Sequence, residues 1–134
     1  MTLVIDASIA AKWVLPEHGT DLAVALRNGS DELIAPAFIV AEIGNAVWKR
    51  ALRNELSLEE AVSAVGIAAG LMTRLVPLEG LSARAMEIAI QLRHPIYDCF
   101  YLALAERERA PIVSADVKLL AAAKKMKGVV GRKL

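Results

Sequence analysis

Residues 3–8 read Leu3-Val4-Ile5-Asp6-Ala7-Ser8, so that three strongly apolar residues are followed at once by an acid. A short apolar run bounded by a polar residue favours a fully buried strand, here 3–5, whose exit leads into a helix. The pattern returns near the other end of the chain as Ile112-Val113-Ser114-Ala115-Asp116. Because such strands alternate with helical patterns, the sequence predicts an α/β fold with a central, mainly parallel sheet covered by helices on both faces.

The other elements are placed by apolar spacing and by Gly, Pro, Asn and Ser signals. Pro77 makes its strand an edge or terminal strand, and Asp98 is expected to cap a helix. The predicted strands cover 3–5, 33–35, 75–78, 112–114 and 129–130. The predicted helices cover 9–15, 20–27, 36–53, 57–73, 82–93, 98–109 and 116–126.

The composition fits one domain over residues 1–134, which is long enough to bury a core of its own. A hydrophobic share of 56% and a mean hydropathy of +0.44 indicate an additional exposed apolar surface, for a partner or for a second copy. No apolar run approaches the roughly 18 residues that span a bilayer, and Lys12 and Glu17 break the N-terminal segment. With a single cysteine, Cys99, these features predict a cytoplasmic protein without a signal peptide or a membrane span.

Acidic residues stand inside apolar segments at four places: Asp6, Glu42, Asp98 and Asp116. An isolated carboxylate taken out of water costs several kcal/mol unless a cation or hydrogen-bond donors compensate. None of the four has a basic residue directly beside it, so a bound cation is the expected partner. If the fold gathers them, they make an oxygen-only site suited to Mg²⁺ or Mn²⁺ and to metal-assisted phosphodiester chemistry.

Helix capping is the structural alternative for the three aspartates, because each precedes a predicted helix and Asp is a favoured N-cap residue. Capping does not explain Glu42, which lies six residues inside the predicted helix 36–53. Its neighbours at helical spacing are apolar, so Glu42 is expected to be buried or nearly so.

Polar residues close to these acids are candidates for supporting roles. Ser8 and Ser114 each lie two residues from an acid and could hydrogen-bond a carboxylate or a metal-bound water, although local capping explains them equally well. Asn45 lies one turn beyond Glu42 and is either a hydrogen-bond donor to the site or a polar boundary residue. Neither His18 nor His94 has metal-ligand spacing with a second His or Cys.

Basic residues are clustered although the net charge is only +1. Lys49, Arg50 and Arg53 follow Glu42 closely and are candidates for holding a nucleic-acid backbone near the acids. The alternative is that these basic residues, like a second group near the C-terminus, belong to a solvated helix face and a frayed tail. That second group falls within the last eleven positions and comprises Lys124, Lys125, Lys127, Arg132 and Lys133.

A resemblance to a known family is carried by four segments: Val4-Ile5-Asp6-Ala7-Ser8, Ala41-Glu42-Ile43-Gly44-Asn45, Tyr97-Asp98-Cys99-Phe100-Tyr101-Leu102-Ala103-Leu104-Ala105 and Val113-Ser114-Ala115-Asp116. In order and spacing they resemble the four motifs of PIN-domain ribonucleases, in particular the toxins of VapBC toxin–antitoxin pairs. The resemblance spans essentially the whole chain. It implies a three-layer α/β/α domain that cleaves RNA endonucleolytically with Mg²⁺ or Mn²⁺.

The same resemblance implies roles for individual residues and partners. The four acids are the catalytic residues, Ser8 and Ser114 are supporting hydroxyls, and the implied partners are RNA, a cognate antitoxin and a second copy in a homodimer. Some relatives carry a further acid where this chain has Lys118, so one tightly held metal ion is expected. Three of the acids are assigned to that ion: Asp6, Asp98 and Asp116.

Two other function classes are alternatives to the nuclease. A catalytically silent PIN-like binding module would use the acids as caps and the apolar surface for a partner; its mark would be loss of one acid, and all four are present. A phosphoacceptor switch domain would need an acidic pair after the first strand and a lysine at a later strand end. Ile5 precedes Asp6, and Ser114-Ala115-Asp116 supplies no lysine, so this class ranks third.

Overall fold

A parallel five-stranded sheet with the strand order β3-β2-β1-β4-β5 forms the centre of the molecule. The computed structural model describes residues 1–16 and 19–134. Glu17 and His18, which the sequence predicts to interrupt an apolar segment and to lack a metal-ligand partner, lie outside these ranges. The strands are β1 (Thr2–Ile5), β2 (Glu32–Pro36), β3 (Arg74–Val76), β4 (Ile112–Ser114) and β5 (Gly131–Lys133).

Helices cover both faces of this sheet. In the described residues they are α1 (Ala7–Val14), α2 (Thr20–Arg27), α3 (Ile39–Leu52), α4 (Leu58–Ala68), α5 (Ser82–Leu92), α6 (Ile96–Glu108) and α7 (Val117–Lys124). Helix α6 packs against β1, β2 and β4 and carries α5, whereas α1 packs with α2, α3 and α4. Because crossovers between parallel strands are right-handed, α1 to α4 belong to one face and α5 to α7 to the other. The predicted α/β/α arrangement is confirmed.

Strand β1 is the centre of the core and sets the position of the site. Leu3, Val4 and Ile5 are fully buried, and Val4 is paired in register with Ile34 of β2 and Ile112 of β4. The chain continues from β1 to β2 on one side and reaches β4 only later on the other side. The carboxyl edge between β1 and β4 is therefore a topological switch point, where sheets of this class bind their ligands.

The start of α3 corrects the prediction for Glu42. Pro36 ends β2 and does not begin a helix, because the next residue, Ala37, still donates its N–H to the β3 residue Val76 at 2.8 Å. Helix α3 begins at Ile39, so Glu42 lies in its first turn and is only partly buried. The helix dipole stabilises a carboxylate in the first turn of a helix. The predicted helix start at residue 36 did not place Glu42 in that turn.

Other boundaries differ for similar reasons. Helix α6 begins at Ile96 after Pro95, so Asp98 lies in its first turn and is not the N-cap. Helix α4 ends at Ala68 and not near Thr73, because Thr73 already pairs with the β2 residue Leu33 through its backbone and its hydroxyl.

The last strand is displaced toward the C-terminus. It covers Gly131–Lys133 and not 129–130, because the parallel register pairs Gly131 with Ile112 and Lys133 with Ser114 of β4. Gly131 admits the close approach of α7: a Cβ there would lie 2.9 Å from Leu120 Cδ2. Strand β3 is an edge strand, as Pro77 predicts. Among the described helices, none is long and apolar enough to cross a membrane.

Candidate active site

Asp6 lies at the carboxyl end of β1 and is 5% exposed. Its extended backbone leaves the strand and caps α1, with Oδ1 accepting from the Ile9 N–H at 3.3 Å. Hydroxyls complete the shell: Ser8 Oγ donates to Oδ1 and Ser114 Oγ donates to Oδ2, each at 2.6 Å. The predicted capping role is confirmed, but capping involves Oδ1 alone, and Oδ1 also accepts from Ser8. The two hydroxyls hold both carboxylate oxygens in one orientation.

Ser114 ties Asp6 to the other strand end. It is the last residue of β4, it is fully buried, and its Oγ accepts from the Asp116 N–H at 2.8 Å. Ser8 Oγ accepts in the same way from the Ala115 N–H at 2.9 Å. Asp116 caps α7 through Oδ1, which accepts from the Lys118 N–H at 2.9 Å. The two serines therefore fix the spacing between the β1 and β4 exits, where two of the predicted acids stand.

Glu42 reaches this edge from the opposite side of β1. The Tyr101 hydroxyl of α6 donates to Glu42 Oε1 at 2.6 Å and so joins α3 to α6. Phe38, in the turn before α3, packs edge-on against Phe100 and Tyr101 with ring centroids 5.5 and 5.6 Å away. Burial raises the pKa of Tyr101 well above its ordinary value, with the nearby Glu42 carboxylate adding to it, so the phenol remains a donor.

Asp98 has a partner that the sequence analysis did not assign to it. His94 Nε2 lies 2.6 Å from Asp98 Oδ2, and both side chains are mostly covered, at 16% and 27% exposed. His94 precedes α6 by two residues and stands four before Asp98, so the chain folds back at Pro95 to bring them together. This pair orients the Asp98 carboxylate, and the sequence signal that could have found it is the four-residue spacing.

The electrostatics of the cluster are unfavourable for bare carboxylates. Burial raises the pKa of Asp6, although hydrogen bonds from Ser114, Ser8 and Ile9 oppose the shift and the Asp116 charge adds to it. Burial also raises the pKa of Glu42 to about 7, with the Tyr101 hydroxyl opposing and the charges of Asp6 and Asp98 adding. Glu42 therefore lies within electrostatic range of Asp6 and Asp98, and Asp6 lies within range of Asp116. In the described part of the chain, no basic side chain pairs with Asp6, Glu42 or Asp116.

A divalent cation suits the chemistry of these donors, which are carboxylate and hydroxyl oxygens. It would offset the desolvation that raises the pKa values of Asp6 and Glu42. The side chains as placed do not form a finished ligand shell: among residues 1–16 and 19–134, no group of three or more His, Cys, Asp or Glu is arranged around one ion position. The metal roles of Asp6, Asp98 and Asp116 stay a prediction.

A groove of about 780 Å³ opens between α1, α3 and α6, and of the four acids Glu42 is the one that lines it. Ser8, Glu42 and Asn45 lie along it, so Asn45 shares the groove with Glu42 one turn away. Its walls are largely apolar and aromatic. They include Phe38, Leu78, Tyr97 and Phe100.

The three predicted backbone-binding cations are separated by the structure. Lys49 is exposed and lines this groove. Arg50 faces a different cleft, between α1 and α4, and its Nε lies 3.4 Å from the Glu55 carboxylate. Arg53 also lies 3.8 Å from Glu55. Arg50 and Arg53 are therefore not placed at the groove that Glu42 lines, because α3 turns their side chains toward the loop that follows it.

Comparison with known proteins agrees with this architecture. The PIN domain pattern matches residues 3–125. Ribonuclease VapC1 of Mycobacterium tuberculosis (strain CDC 1551 / Oshkosh) is 36% identical over 104 residues, which are 75% of this chain and 76% of that protein. The DNA-bound VapBC2 structure from Rickettsia felis has a TM-score of 0.73 at 13% identity and covers 100% of this chain and 99% of that one. The structure of Mycobacterium tuberculosis VapC20, described as a Sarcin-Ricin loop cleaving toxin, has a TM-score of 0.72 at 16% identity, covering 90% and 94% of the two chains. The predicted resemblance is confirmed, and the chain belongs to the PIN domain family.

Proposed function

We propose that this protein is an endoribonuclease that cleaves RNA phosphodiester bonds with Mg²⁺ or Mn²⁺ and acts as the toxin of a toxin–antitoxin pair. The observation that carries the proposal is the buried Asp6, which two hydroxyls hold at the sheet edge within electrostatic range of Glu42 and Asp116. Within residues 1–16 and 19–134, no lysine or arginine pairs with these three acids. Relatives named as VapC ribonucleases, among them one 36% identical, support RNA as the substrate class.

The metal would be held by Asp6, Asp98 and Asp116, as a single ion. Bound there, it would polarise the scissile phosphate and lower the pKa of a water that attacks in line. Lys118, in the first turn of α7, adds no carboxylate on the side where a second ion would need one.

The remaining steps belong to the protein's own side chains. Ser8 and Ser114 hold the Asp6 oxygens, and His94 holds Asp98, so both carboxylates are oriented before substrate arrives. Tyr101 occupies Glu42 Oε1 and leaves Oε2 open to the groove. With Oε1 held by Tyr101, the Glu42 carboxylate lines the groove and is the base that we assign to the attacking water.

Cleavage of a structured RNA pool tests this function. Purified protein is compared with Asp98→Asn, in Mg²⁺, in Mn²⁺ and in EDTA, with melting curves to show that both proteins are folded. Cleavage that needs the metal and falls by about a hundredfold or more in the variant would support the proposal. Equal cleavage by the folded variant, or cleavage that persists in EDTA, would contradict it.

An apolar depression between α3 and α4 supports protein partners. It is lined by Gly44, Val47, Trp48, Leu58, Val62 and Val65, and several of these side chains are exposed, Leu58 at 80% and Val62 at 65%. An exposed apolar patch of this kind marks an interaction surface. Solved structures of the same fold include toxin–antitoxin complexes such as VapBC2 of Rickettsia felis. We assign the patch to the antitoxin or to a second copy in a homodimer. Because the proposed substrate is RNA, we also propose that the protein acts in the cytoplasm.

The silent binding module remains the second candidate, because this depression would serve a partner whether or not the acids act. It predicts that partner binding is retained and that no RNA is cleaved under any metal condition.

A further inference from the structure

A second depression lies beside the acids, on the other side of Asp98 from the groove. It has a volume of about 310 Å³ and is enclosed by the start of α6 and one face of α7. Tyr97 lines the groove, whereas the adjacent Asp98 lines this depression together with His94. The first turn of α6 therefore separates the two spaces, with Glu42 lining the groove and Asp98 lining this depression.

Two lysines of α7 line the depression: Lys118 in its first turn and Lys125 at its C-cap. They are seven residues apart, so both lie on one face of the helix, roughly 10 Å apart along its axis. Ala121, between them on the same face, is too small to fill the space. Both lysines are exposed, and neither forms an ion pair with a described residue.

Local stability does not explain Lys118. A cation in the first turn of a helix is unfavourable because the helix dipole is positive at that end. The backbone N–H of Lys118 donates to the N-cap Asp116, but its ammonium group forms no ion pair with that carboxylate. Lys125 stands at the opposite end, where a cation is favourable, so it has an ordinary structural reason. Lys118 is therefore an exposed charge without a local stabilising role, available to contact an anion.

We propose that this depression is a phosphate subsite for the RNA strand, with Lys118 and Lys125 contacting successive parts of the backbone beside the scissile bond. The proposal rests on the ribonuclease function above. Two exposed ammonium groups about two turns apart suit a strand with repeated phosphates better than a single small anion. A strand held there and at Lys49 would pass Asp98, which lines the depression, and Glu42, which lines the groove.

Direct binding in EDTA tests the subsite without cleavage. The probe is a short fluorescein-labelled single-stranded RNA, titrated with wild type, Lys118→Gln, Lys125→Gln and the double variant from roughly 50 to 200 mM salt. Arg27→Gln is the matched control: it removes one exposed charge at the end of α2, which leads to the amino edge of the sheet, away from the acids. Ala121→Met removes no charge but fills the space between the two lysines.

Each lysine variant is expected to bind roughly three- to tenfold more weakly at low salt. The slope of log affinity against log salt should become shallower by about 0.7 for each lysine removed. Ala121→Met should weaken binding by a similar factor, and Arg27→Gln should match wild type. Melting curves should show Lys118→Gln at least as stable as wild type.

Three results would overturn the subsite. If the lysine variants keep the wild-type slope of log affinity against log salt, the RNA strand binds elsewhere. If Arg27→Gln loses as much RNA affinity as they do, the effect comes from net charge alone. Ala121→Met binding like wild type would exclude the depression itself as the contact. Any of these leaves the ribonuclease function standing if the wild type still cleaves RNA, whereas a wild type that neither binds nor cleaves RNA contradicts both.

Discussion

Glu42 is a partly buried carboxyl close to the charges of Asp6 and Asp98. In the metal-free protein its pKa is raised from an ordinary 4.5 to about 7. The folded state therefore binds a proton that the unfolded chain has released between these values. The contribution of this group to stability is greatest below pH 4.5 and is lost as the pH rises through 7.

Glu42→Gln should remove this pH dependence. The amide oxygen still accepts from the Tyr101 hydroxyl, but no charge is buried. Above pH 7 the variant is expected to be more stable than wild type by about 1–2 kcal/mol, less than the full shift in pKa implies because the carboxyl is partly solvated. Urea unfolding in EDTA between pH 5 and pH 8.5 measures this difference.

Glu79→Gln supplies the comparison, since Glu79 is exposed. It should leave the pH profile of the wild type unchanged. A Glu42→Gln protein whose stability still falls with pH as steeply as wild type would show that Glu42 is not the group responsible. If Glu42 is the base proposed above, the same variant should also lose RNA cleavage.

Helices and strands could be predicted from the sequence where a local pattern determines them. They could not be predicted where contacts between distant parts of the chain determine them. The apolar run before Asp6 and the run before Asp116 each fix a buried strand and the acid that follows it, and parallel pairing then brings the two strand ends together. The start of α3 was missed because sheet pairing by Ala37 overrides the helix preference of Pro36. The bond from Tyr101 to Glu42 depends on how α3 and α6 meet, which no sequence period encodes. The contact between His94 and Asp98 is local, and its four-residue spacing is a signal that the sequence does contain.

The pair of helices α3 and α4 carries a prediction of its own. Leu58 and Val62 lie one turn apart on the exposed side of α4 and line the apolar depression. If a second copy covers this patch, the Leu58→Asp and Val62→Asp double variant should be monomeric in light scattering where the wild type is dimeric. Both side chains are exposed in the isolated chain, so the melting temperature of the monomer should change little.

Ile90→Asp is the matched control for that variant. Ile90 is 72% exposed on α5, on the opposite side of the sheet, and its charge substitution should leave the dimer intact. A wild type that is already monomeric at micromolar concentration would contradict the homodimer and leave the patch to the antitoxin. Dimers that survive the double variant would place the interface on another face.

At the scale of the whole molecule, folding stability and the acidic site oppose each other. The sheet places Asp6 in the core next to β4, and burial raises its pKa even with three hydrogen bonds. A bound cation would offset that cost, so Mg²⁺ should stabilise the fold through mass action. At ten times the dissociation constant the gain is about 1.4 kcal/mol, which corresponds to a rise of roughly 3–6 °C in melting temperature for a domain of this size.

Asp6→Asn should separate the two effects. It removes the buried charge, so the metal-free variant is expected to melt at or above the wild-type temperature at pH 8, where the raised pKa of Asp6 disfavours the charged fold. The same variant should show no response to millimolar Mg²⁺. Asp21→Asn, an exposed change in the first turn of α2, should keep the wild-type response. An Asp6→Asn protein that gains as much from Mg²⁺ as wild type would place the cation away from the β1 exit, and the acids would then owe their position to capping alone.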